Sequence, residues 1–257
     1  MNPVIFSLGF IQIRWYAVLM LLAFVIGYLL IIKNSKNLKL PLSKITDMCF
    51  YLVIICIIGA RLYYCVFNFE EYSKNLLDIF KIWEGGLAIH GGIIAGVIFI
   101  IFYTKKNHLP LLKILDVMSI SLVLGQAIGR WGNFFNQEAF GPQTTYITLK
   151  NLHIPKFIIN GMYINHTYYH PTFFYESLSC LIIFITLIVF QKFKFRKTGQ
   201  IASIYLILYG IVRFFIESLR QDSLMFLNFK VAQIVSILMI LIGLSLFIFS
   251  YIRRSHD

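Results

Sequence analysis

Seven apolar stretches, most of them near the length that crosses a bilayer, constrain most strongly what this chain can fold into. They cover roughly residues 15–32, 46–66, 88–103, 114–129, 172–190, 200–218 and 231–251. A membrane helix needs about 20 predominantly apolar residues, so tilted or re-entrant segments stay open for the shorter third and fourth stretches. The chain is 59% apolar and 13% charged, whereas a soluble domain carries roughly a quarter charged residues. We therefore predict an all-α polytopic membrane protein with about seven transmembrane helices rather than a soluble core.

Basic residues lie in alternate connections between these stretches and predict the orientation of the chain. They occupy the first, third and fifth connections and the tail: Lys33, Lys36, Lys39, Lys44, Lys105, Lys106, Lys113, Lys192, Lys194, Arg196, Lys197, Arg253 and Arg254. The second connection is richer in acidic residues, namely Glu70, Glu71, Asp78 and Glu84 against Lys74 and Lys81. Cytoplasmic loops carry the excess of Lys and Arg, so we expect the N-terminus outside and the C-terminus in the cytoplasm.

The formal net charge of +12 therefore reflects topology, and we expect no nucleic-acid partner. Residues 1–13 have no basic segment ahead of the first apolar stretch, so we expect that stretch to remain as a helix rather than be cleaved. The four cysteines, Cys49, Cys56, Cys65 and Cys180, form no Cys-x-x-Cys pair. They are read as small packing residues, and no disulfide framework or metal site is expected.

One long connection, residues 130–171, lies on the outer side in this topology. It contains the turn-forming pairs Gly141-Pro142, Asn160-Gly161 and His170-Pro171. Short pieces rich in Ile, Phe and Tyr, such as Phe157-Ile158-Ile159, lie between these turns. We expect a small, partly β extracytoplasmic head inserted into one membrane domain that spans residues 1–257. No internal repeat is visible, so the inverted-repeat layout of many transporters has no support.

Two clusters of polar residues lie at the outer ends of the third and fourth apolar stretches. The first is His90 between the glycine pairs Gly85-Gly86 and Gly91-Gly92, where a structural histidine and glycines that allow close helix packing are the simpler alternatives. The second runs from Gly129 to Glu138. It contains Arg130, Asn133, Asn136 and Glu138. Because positive-inside bias does not explain an outer arginine, a phosphate or carboxylate is the natural partner of Arg130.

A third cluster forms a narrow polar stripe on the sixth stretch. Tyr209, Arg213, Glu217 and Arg220 fall within about 80° of one another if the helix continues at 100° per residue. Ionisable groups in a span cost at least ~2.5–3.5 kcal/mol each and face a polar cavity. The alternative is an internal Arg213–Glu217 salt bridge that only joins the helix bundle.

Smaller features add polar groups at the same outer level. The segment from His170 to Glu176 begins the fifth stretch, and Arg14-Trp15-Tyr16 begins the first, where Trp15 is read as an interfacial anchor. Arg61, near the end of the second stretch, is ambiguous between structure and function. We expect the outer ends of the third, fourth and sixth helices to meet around one cavity that opens sideways to the outer leaflet.

These motifs together resemble the prolipoprotein diacylglyceryl transferase family of bacterial membrane enzymes. Residues 129–138, Gly-Arg-Trp-Gly-Asn-Phe-Phe-Asn-Gln-Glu, fit the family pattern G-R-x-G-N-F-x-N-x-E. The similarity extends from Tyr16 to Gln233 and includes four further motifs: Trp83 to Gly86 with His90 to Gly92, His170 to Thr172, Tyr175-Glu176, and Tyr209 with Arg213 and Glu217. Residues 143–168 match no pattern that we can state.

The resemblance implies a seven-span fold with an outer head in the bacterial inner membrane, and a definite reaction. The diacylglyceryl group of phosphatidylglycerol moves to the lipobox cysteine thiol of a prolipoprotein, which leaves a thioether and glycerol phosphate. The implied partners are phosphatidylglycerol, the prolipoprotein signal peptide and membrane lipids, without cofactor or metal. The implied catalytic residues are His90, Arg130, Arg213 and Tyr209. The implied substrate-binding residues are Tyr16, Asn133, Asn136, Glu138, Glu217, Arg220 and His170.

Two questions stay open at this level. His90 is a candidate base because its pKa can be tuned near neutrality, but a tyrosine or a substrate oxygen could also serve. A transporter or flippase for an anionic lipid or solute would also use arginines in a cavity, although it requires a pathway to the cytoplasm. A purely structural scaffold protein would not explain why the polar stripe on the sixth stretch contains arginines.

Overall fold

The computed structural model describes residues 2–8, 11–73 and 75–252 of the chain. Within these ranges, seven helices are long and apolar enough to cross a membrane, in agreement with the prediction. They are α1 (Trp15–Asn37), α2 (Leu42–Phe67), α4 (Ile89–Lys106), α5 (Leu111–Asn136), α8 (Thr172–Gln191), α9 (Gln200–Leu219) and α10 (Val231–Ile252). The basic residues predicted for the tail, Arg253 and Arg254, and Lys74 lie outside the described residues.

The shorter elements lie between these helices or ahead of them. They are β1 (Val4–Leu8), β2 (Ile11–Arg14), α3 (Phe69–Tyr72), β3 (Gln143–Thr144), α6 (Tyr146–Asn151), α7 (Lys156–Gly161), β4 (Tyr163–Ile164), β5 (Thr167–Tyr169), β6 (Met225–Phe226) and β7 (Phe229–Lys230). Strands β1–β2 and β6–β7 form antiparallel hairpins, and β3–β5–β4 form a three-stranded sheet. Two 3₁₀ turns, Leu76–Phe80 and Ile82–Glu84, follow α3.

Helix α5 is longer than its apolar stretch predicts, because it continues through the polar residues to Asn136. The fourth span is therefore one continuous helix of 26 residues, whereas the third, α4, has 18. The extra turns are held from the side, since the Trp131 ring stacks on Phe157 and packs edge-on against Phe173. Gln137, with a φ of 52°, ends the helix and turns the chain.

The chain divides into two compact units, and the first comprises residues 1–31 and 115–257. Its membrane core consists of apolar residues from three helices: Ile120, Val123, Ala127, Cys180, Ile183, Leu187, Ile201, Tyr205 and Tyr209. Helices α9 and α10 approach closely at glycines, since a Cβ on Gly210 would lie 2.9 Å from the Ser236 carbonyl oxygen. Small residues of this kind let membrane helices pack at short range.

The segment between α5 and α8, here called the head, contains the three-stranded sheet and the short helices α6 and α7, so it is partly β as expected. It begins after Asn136 rather than at residue 130, and its place outside the membrane stays a prediction. The predicted piece Phe157-Ile158-Ile159 lies in α7, because Pro155 precedes the helix and its inward face buries Ile158 and Ile159. A second apolar core lies beneath the head: Phe134, Leu149, Ile154, Ile158, Ile159, Met162 and Phe173. This core holds the end of α5 and the start of α8 against the head.

The second unit comprises residues 32–114 and is built on the packing of α2 against α4. The contact depends on glycines, since a Cβ on Gly92 would lie 3.1 Å from the Cys56 carbonyl oxygen and one on Gly96 would lie 2.9 Å from the Cys56 sulfur. The predicted glycine-mediated packing of the third span is therefore present.

Candidate active site

A buried carboxylate joins three helices of the first unit at the level of the polar clusters. Glu176 lies in the first turns of α8 and is 2% exposed. Its Oε1 atom lies 2.7 Å from Nη2 of Arg130 on α5 and accepts a hydrogen bond from the Tyr209 hydroxyl at 3.0 Å. Its Oε2 atom accepts a hydrogen bond from Nη1 of Arg213 on α9 at 3.1 Å. One carboxylate thus fixes two arginines and a tyrosine from two other helices.

Arg213 is held by a second carboxylate on its own helix. Its Nη2 atom lies 2.6 Å from Oε2 of Glu217, one helical turn further along α9. The internal salt bridge considered from the sequence is therefore present. It is not the whole environment of Arg213, because the same guanidinium also reaches Glu176 on α8.

The opposite end of the cluster is formed by the amides that follow Arg130. Arg130 donates from Nη1 to Asn133 Oδ1 at 3.5 Å. Glu138 accepts from the side-chain amides of Asn133 at 2.9 Å and Asn136 at 3.3 Å. The chain returns here because Gln137 and Ala139 both have positive φ, and the Glu138 N–H donates to the Asn133 carbonyl at 3.1 Å. Four residues predicted from one sequence motif therefore form one hydrogen-bonded chain.

The charges of this cluster are paired, and the arginines are its more exposed members. Arg130 and Arg213 each contact a buried carboxylate, which keeps the cost of burying these charges low. The positively charged side chains are more exposed than the negatively charged ones. Arg130 and Arg213 are 23% and 16% exposed, whereas Glu176 and Glu217 are 2% and 3% exposed. Each guanidinium has five N–H donors, which these contacts do not use up. The carboxylates therefore orient the arginines and leave donors on each guanidinium for a further partner.

Two further predicted substrate-binding residues, His170 and Tyr16, belong to the same unit. His170 is partly buried, and its Nδ1 lies 3.0 Å from the Tyr175 hydroxyl. Burial lowers the pKa of the His170 imidazole below its ordinary value, which favours the neutral ring. Tyr16, at the start of α1, is 40% exposed and packs on Gly132, where any Cβ would collide with the tyrosine ring.

Arg220 differs from its predicted place on the polar stripe. Helix α9 ends at Leu219, and the backbone of Arg220 is extended with a ψ of 138°, so the helical angle does not apply to it. Its Nε and Nη2 atoms donate to the carboxylate of Asp222 at 3.1 Å and 3.0 Å. Partial burial opposes ionisation of Asp222, but the hydrogen bond and charge of Arg220 outweigh it, so the pKa of Asp222 is lowered.

His90 belongs to the second unit, where it is the second residue of α4 and is exposed. Its ring centroid lies 6.4 Å from that of Tyr63 on α2. His90 and the two arginines belong to different units. That they share one cavity therefore stays a prediction.

The sequence analysis named Glu176 as a polar group at the outer edge of the fifth span and as part of the Tyr175-Glu176 motif, but did not select it for the site. The signal was present, because Glu176 is the single ionisable acid within residues 172–190, and such a residue requires a partner. Within the described residues no cluster of three or more His, Cys, Asp or Glu side chains could hold a metal ion.

Comparison with known proteins gives one consistent result. A family model described as prolipoprotein diacylglyceryl transferase matches residues 3–249. Curated relatives named phosphatidylglycerol–prolipoprotein diacylglyceryl transferase include one from Listeria innocua, which is 43% identical over 91% of this chain and 84% of its own. Another, from Halalkalibacterium halodurans, is 45% identical over 88% of this chain and 78% of its own. A third, from Clostridium botulinum, is 46% identical over 91% of each chain.

Proposed function

The chain belongs to the prolipoprotein diacylglyceryl transferase family, and we propose that its arginine–carboxylate cluster catalyses the transfer of a diacylglyceryl group from phosphatidylglycerol to a prolipoprotein. It is a membrane transferase of the first step of lipoprotein lipidation. The acceptor in this proposal is the thiol of the lipobox cysteine in the prolipoprotein signal peptide. The observation that carries the proposal is the pair of arginines, Arg130 and Arg213, held on either side of Glu176.

The reaction defines what the site must do. The acceptor thiol loses its proton, and the thiolate sulfur attacks the carbon of the diacylated glycerol that bears the phosphate ester. A carbon–sulfur bond forms as the carbon–oxygen bond breaks, and the electron pair passes to the departing phosphate oxygen. A phosphodiester with one negative charge thus becomes a glycerol phosphate that carries more. Catalysis requires donors that are already in place for this added charge.

Arg130 and Arg213 meet that requirement. A guanidinium can present two parallel N–H donors to two phosphate oxygens. Two guanidiniums side by side would repel each other, and Glu176 between them removes that repulsion because it contacts both. Arg130 and Arg213 are held by these carboxylates without any ligand, so the arginines are oriented before the substrate arrives.

The neighbouring residues take supporting roles in this proposal. Asn133, Asn136 and Glu138 hold Arg130 from one side and orient the lipid head group, as their hydrogen-bonded chain suggests. Glu217 fixes Arg213. Further polar residues are proposed to contact phosphate, glycerol or the peptide at the edge of the site: Tyr16, Tyr209, Arg220 and His170.

His90 is the proposed acceptor of the thiol proton. It stands on the second residue of α4 with its side chain exposed, as a group that exchanges protons requires. Tyr209 is a weaker candidate, because its hydroxyl donates to Glu176 and is therefore engaged as a donor. His90→Gln should strongly slow transfer by folded protein, because the amide cannot take the thiol proton.

We place the protein in the bacterial inner membrane, with its N-terminus outside and the active site on the outer side. Every second connection between the membrane helices is rich in Lys and Arg, as cytoplasmic loops are, and residues 33–44 of the first connection carry four lysines. Single cysteines introduced between residues 33 and 44 should react with an impermeant maleimide only from the cytoplasmic side. Labelling of that segment from outside would invert the orientation and move the site to the inner leaflet.

The decisive experiment uses the purified full chain in vesicles that contain labelled phosphatidylglycerol and a lipobox peptide. When the label is in the diacylated glycerol, it should appear on the peptide and stay there after mild alkali, which cleaves the acyl esters but not a thioether. Glycerol phosphate should be released in equal amount. A peptide with serine in place of the lipobox cysteine is the matched control. Movement of labelled lipid between leaflets without peptide modification would support the transporter alternative instead.

A further inference from the structure

Arg61, near the end of α2, has no part in the transfer reaction described above, yet it is only 5% exposed. Its five N–H donors all point to backbone carbonyls of the segment that follows α3. Nε donates to Ile79 at 2.9 Å, Nη1 to Gly85 at 2.7 Å and Gly86 at 3.1 Å, and Nη2 to Asp78 at 2.6 Å and Lys81 at 3.2 Å. The Tyr72 ring lies against the guanidinium, with its centroid 5.1 Å away.

The segment that Arg61 holds has little regular structure of its own. Between α3 and α4 it makes only the 3₁₀ turns Leu76–Phe80 and Ile82–Glu84. Buried carbonyls without a partner are costly, so a guanidinium that donates to five of them organises the segment around itself. A lysine could satisfy at most three, and without the planar geometry of the fork.

Gly86 fits the guanidinium sterically as well as by hydrogen bonding. Its φ is 73°, and a Cβ at this position would lie 2.5 Å from Nη1 of Arg61. Gly85 has a φ of 94° but nothing within 4 Å of the place where its Cβ would be. The two glycines therefore share the backbone requirement, and only Gly86 must also leave room for Arg61.

Gly59 and Ala60, which precede Arg61 in α2, contact the same segment closer to α4. The Ala60 carbonyl accepts a hydrogen bond from the Ala88 N–H at 3.0 Å, just ahead of α4. A Cβ on Gly59 would lie 2.8 Å from the carbonyl oxygen of Gly91, so the two backbones touch. Three consecutive residues of α2 thus fix the backbone on both sides of His90.

We propose that Gly59-Ala60-Arg61 is a positioning element that sets the backbone of residues 85–91 and, through it, the place of the His90 imidazole. This inference rests on the proposed function, in which His90 accepts the thiol proton. None of the three residues needs to touch substrate. Their effect passes through geometry, and a displacement of about 1 Å at a reacting group can cost roughly 10²-fold in rate.

The first test is a matched glycine pair. Gly86→Ala and Gly85→Ala each put a side chain on a positive-φ backbone, but only the first places a Cβ against Arg61 and the neighbouring Tyr64 ring. Transfer by purified, folded Gly86→Ala protein should fall roughly 10-fold or more in kcat with little change in KM for phosphatidylglycerol. Gly85→Ala should lose much less. Equal losses for the two variants would overturn the proposal, because backbone strain alone would then account for both.

The second test asks whether Arg61 acts through His90. Arg61→Lys keeps the charge and should slow transfer, whereas Arg196→Lys, which removes a single contact to the Gln191 carbonyl, should not. In a His90→Gln background, Arg61→Lys should cost little further activity, because the group that it positions is already absent. Hydrogen exchange of the amides in residues 76–91 should rise in Arg61→Lys and stay unchanged in Arg196→Lys.

The outcomes separate this inference from the proposed function. If wild-type protein transfers no lipid, the proposed function fails, and the hydrogen-exchange result still reports whether Arg61 fixes the segment. If wild-type protein is active but Arg61→Lys loses the same factor with and without His90, the element is only structural and the inference is wrong. Full activity of Arg61→Lys would exclude it as well.

Discussion

Nη2 of Arg130 lies 2.7 Å from Oε1 of Glu176, although the two residues belong to different membrane helices, α5 and α8. Arg213, on a third helix, reaches the other oxygen of the same carboxylate. Glu176 therefore connects the helices mechanically and the two arginines electrostatically. Removal of this carboxylate would leave two guanidiniums of like charge facing each other in a poorly solvated place.

The first prediction is that Glu176→Gln loses both stability and activity. The amide has the size of the carboxylate but not its charge, and breaking a buried ion pair typically costs ~3–5 kcal/mol. The two arginines would also separate, so the transfer rate should fall by about 10²-fold or more in protein that remains folded. Thermal unfolding and lipid transfer in the same detergent measure both effects.

Glu70→Gln is the matched control for this change. Glu70 is an exposed acid on α3, in the acidic connection after α2. Its replacement should alter neither the unfolding temperature nor the rate. Wild-type transfer by Glu176→Gln would mean that the arginines do not need a carboxylate between them.

The second prediction concerns Asp116, which is 2% exposed near the start of α5. Its two carboxylate oxygens accept hydrogen bonds from the N–H groups of Gly199 at 2.7 Å and Ala202 at 2.9 Å, which are otherwise unpaired at the beginning of α9. Asp116→Ala should therefore reduce the free energy of unfolding by about 1–3 kcal/mol. The rate per folded molecule should stay near that of wild type, because Arg213 lies at the other end of α9.

Chemical denaturation of Asp116→Ala beside Asp47→Ala provides the measurement. Asp47 is exposed on α2, so its removal should have little effect. An unchanged unfolding curve for Asp116→Ala would show that the capping contacts contribute nothing net.

The membrane fold could be predicted from the sequence because the bilayer fixes the length of each apolar stretch. All seven helices contain the predicted stretches almost entirely. The end of α5 could not be predicted this way, since Arg130, Asn133 and Asn136 interrupt the apolar run. The aromatic packing around Trp131 shows why this segment stays helical. An interior environment, rather than hydropathy, decides the boundary there.

The candidate site was predictable where its contacts are local. The Arg213–Glu217 pair follows from a spacing of four residues on a helix, and the amides near Glu138 follow from one motif. The role of Glu176 was not predictable, because it depends on the packing of three helices whose contacts no spacing encodes. Arg220 was placed wrongly because the helical pattern was extended one residue past Leu219, where α9 ends.

The third prediction is a pH dependence of stability that originates at His170. Burial lowers the pKa of the folded imidazole below the ordinary value of about 6.5. The unfolded chain therefore binds a proton more readily than the folded one. The stabilising contribution is complete above pH ~6.5 and is lost as the pH falls through the lower folded pKa.

His170→Gln should flatten this part of the stability profile, measured by thermal unfolding between pH 5 and pH 8 (about the range in which an imidazole titrates). The neutral amide can still face the Tyr175 hydroxyl, which His170 contacts at 3.0 Å. His153→Gln, at an exposed position in the head, is the matched control and should leave the profile unchanged. A profile that is identical in wild type and His170→Gln would assign the acid sensitivity elsewhere.

The last prediction is that Arg130→Lys and Arg213→Lys each damage transfer far more than Lys192→Arg, although every change conserves charge. A guanidinium meets two phosphate oxygens with parallel donors, whereas an ammonium is a point charge on a flexible stem. Loss of one preorganised donor at a developing anion typically costs ~3–4 kcal/mol, or about 10²–10³ in rate. Lys192 follows α8 at the end opposite Glu176, so its change should be nearly silent. Unfolding must be measured in parallel, because Arg213 is also tied to Glu217. If both folded arginine variants transfer lipid at near wild-type rates, the arginines do not bind phosphate. Their salt bridges then serve only to hold the helices together.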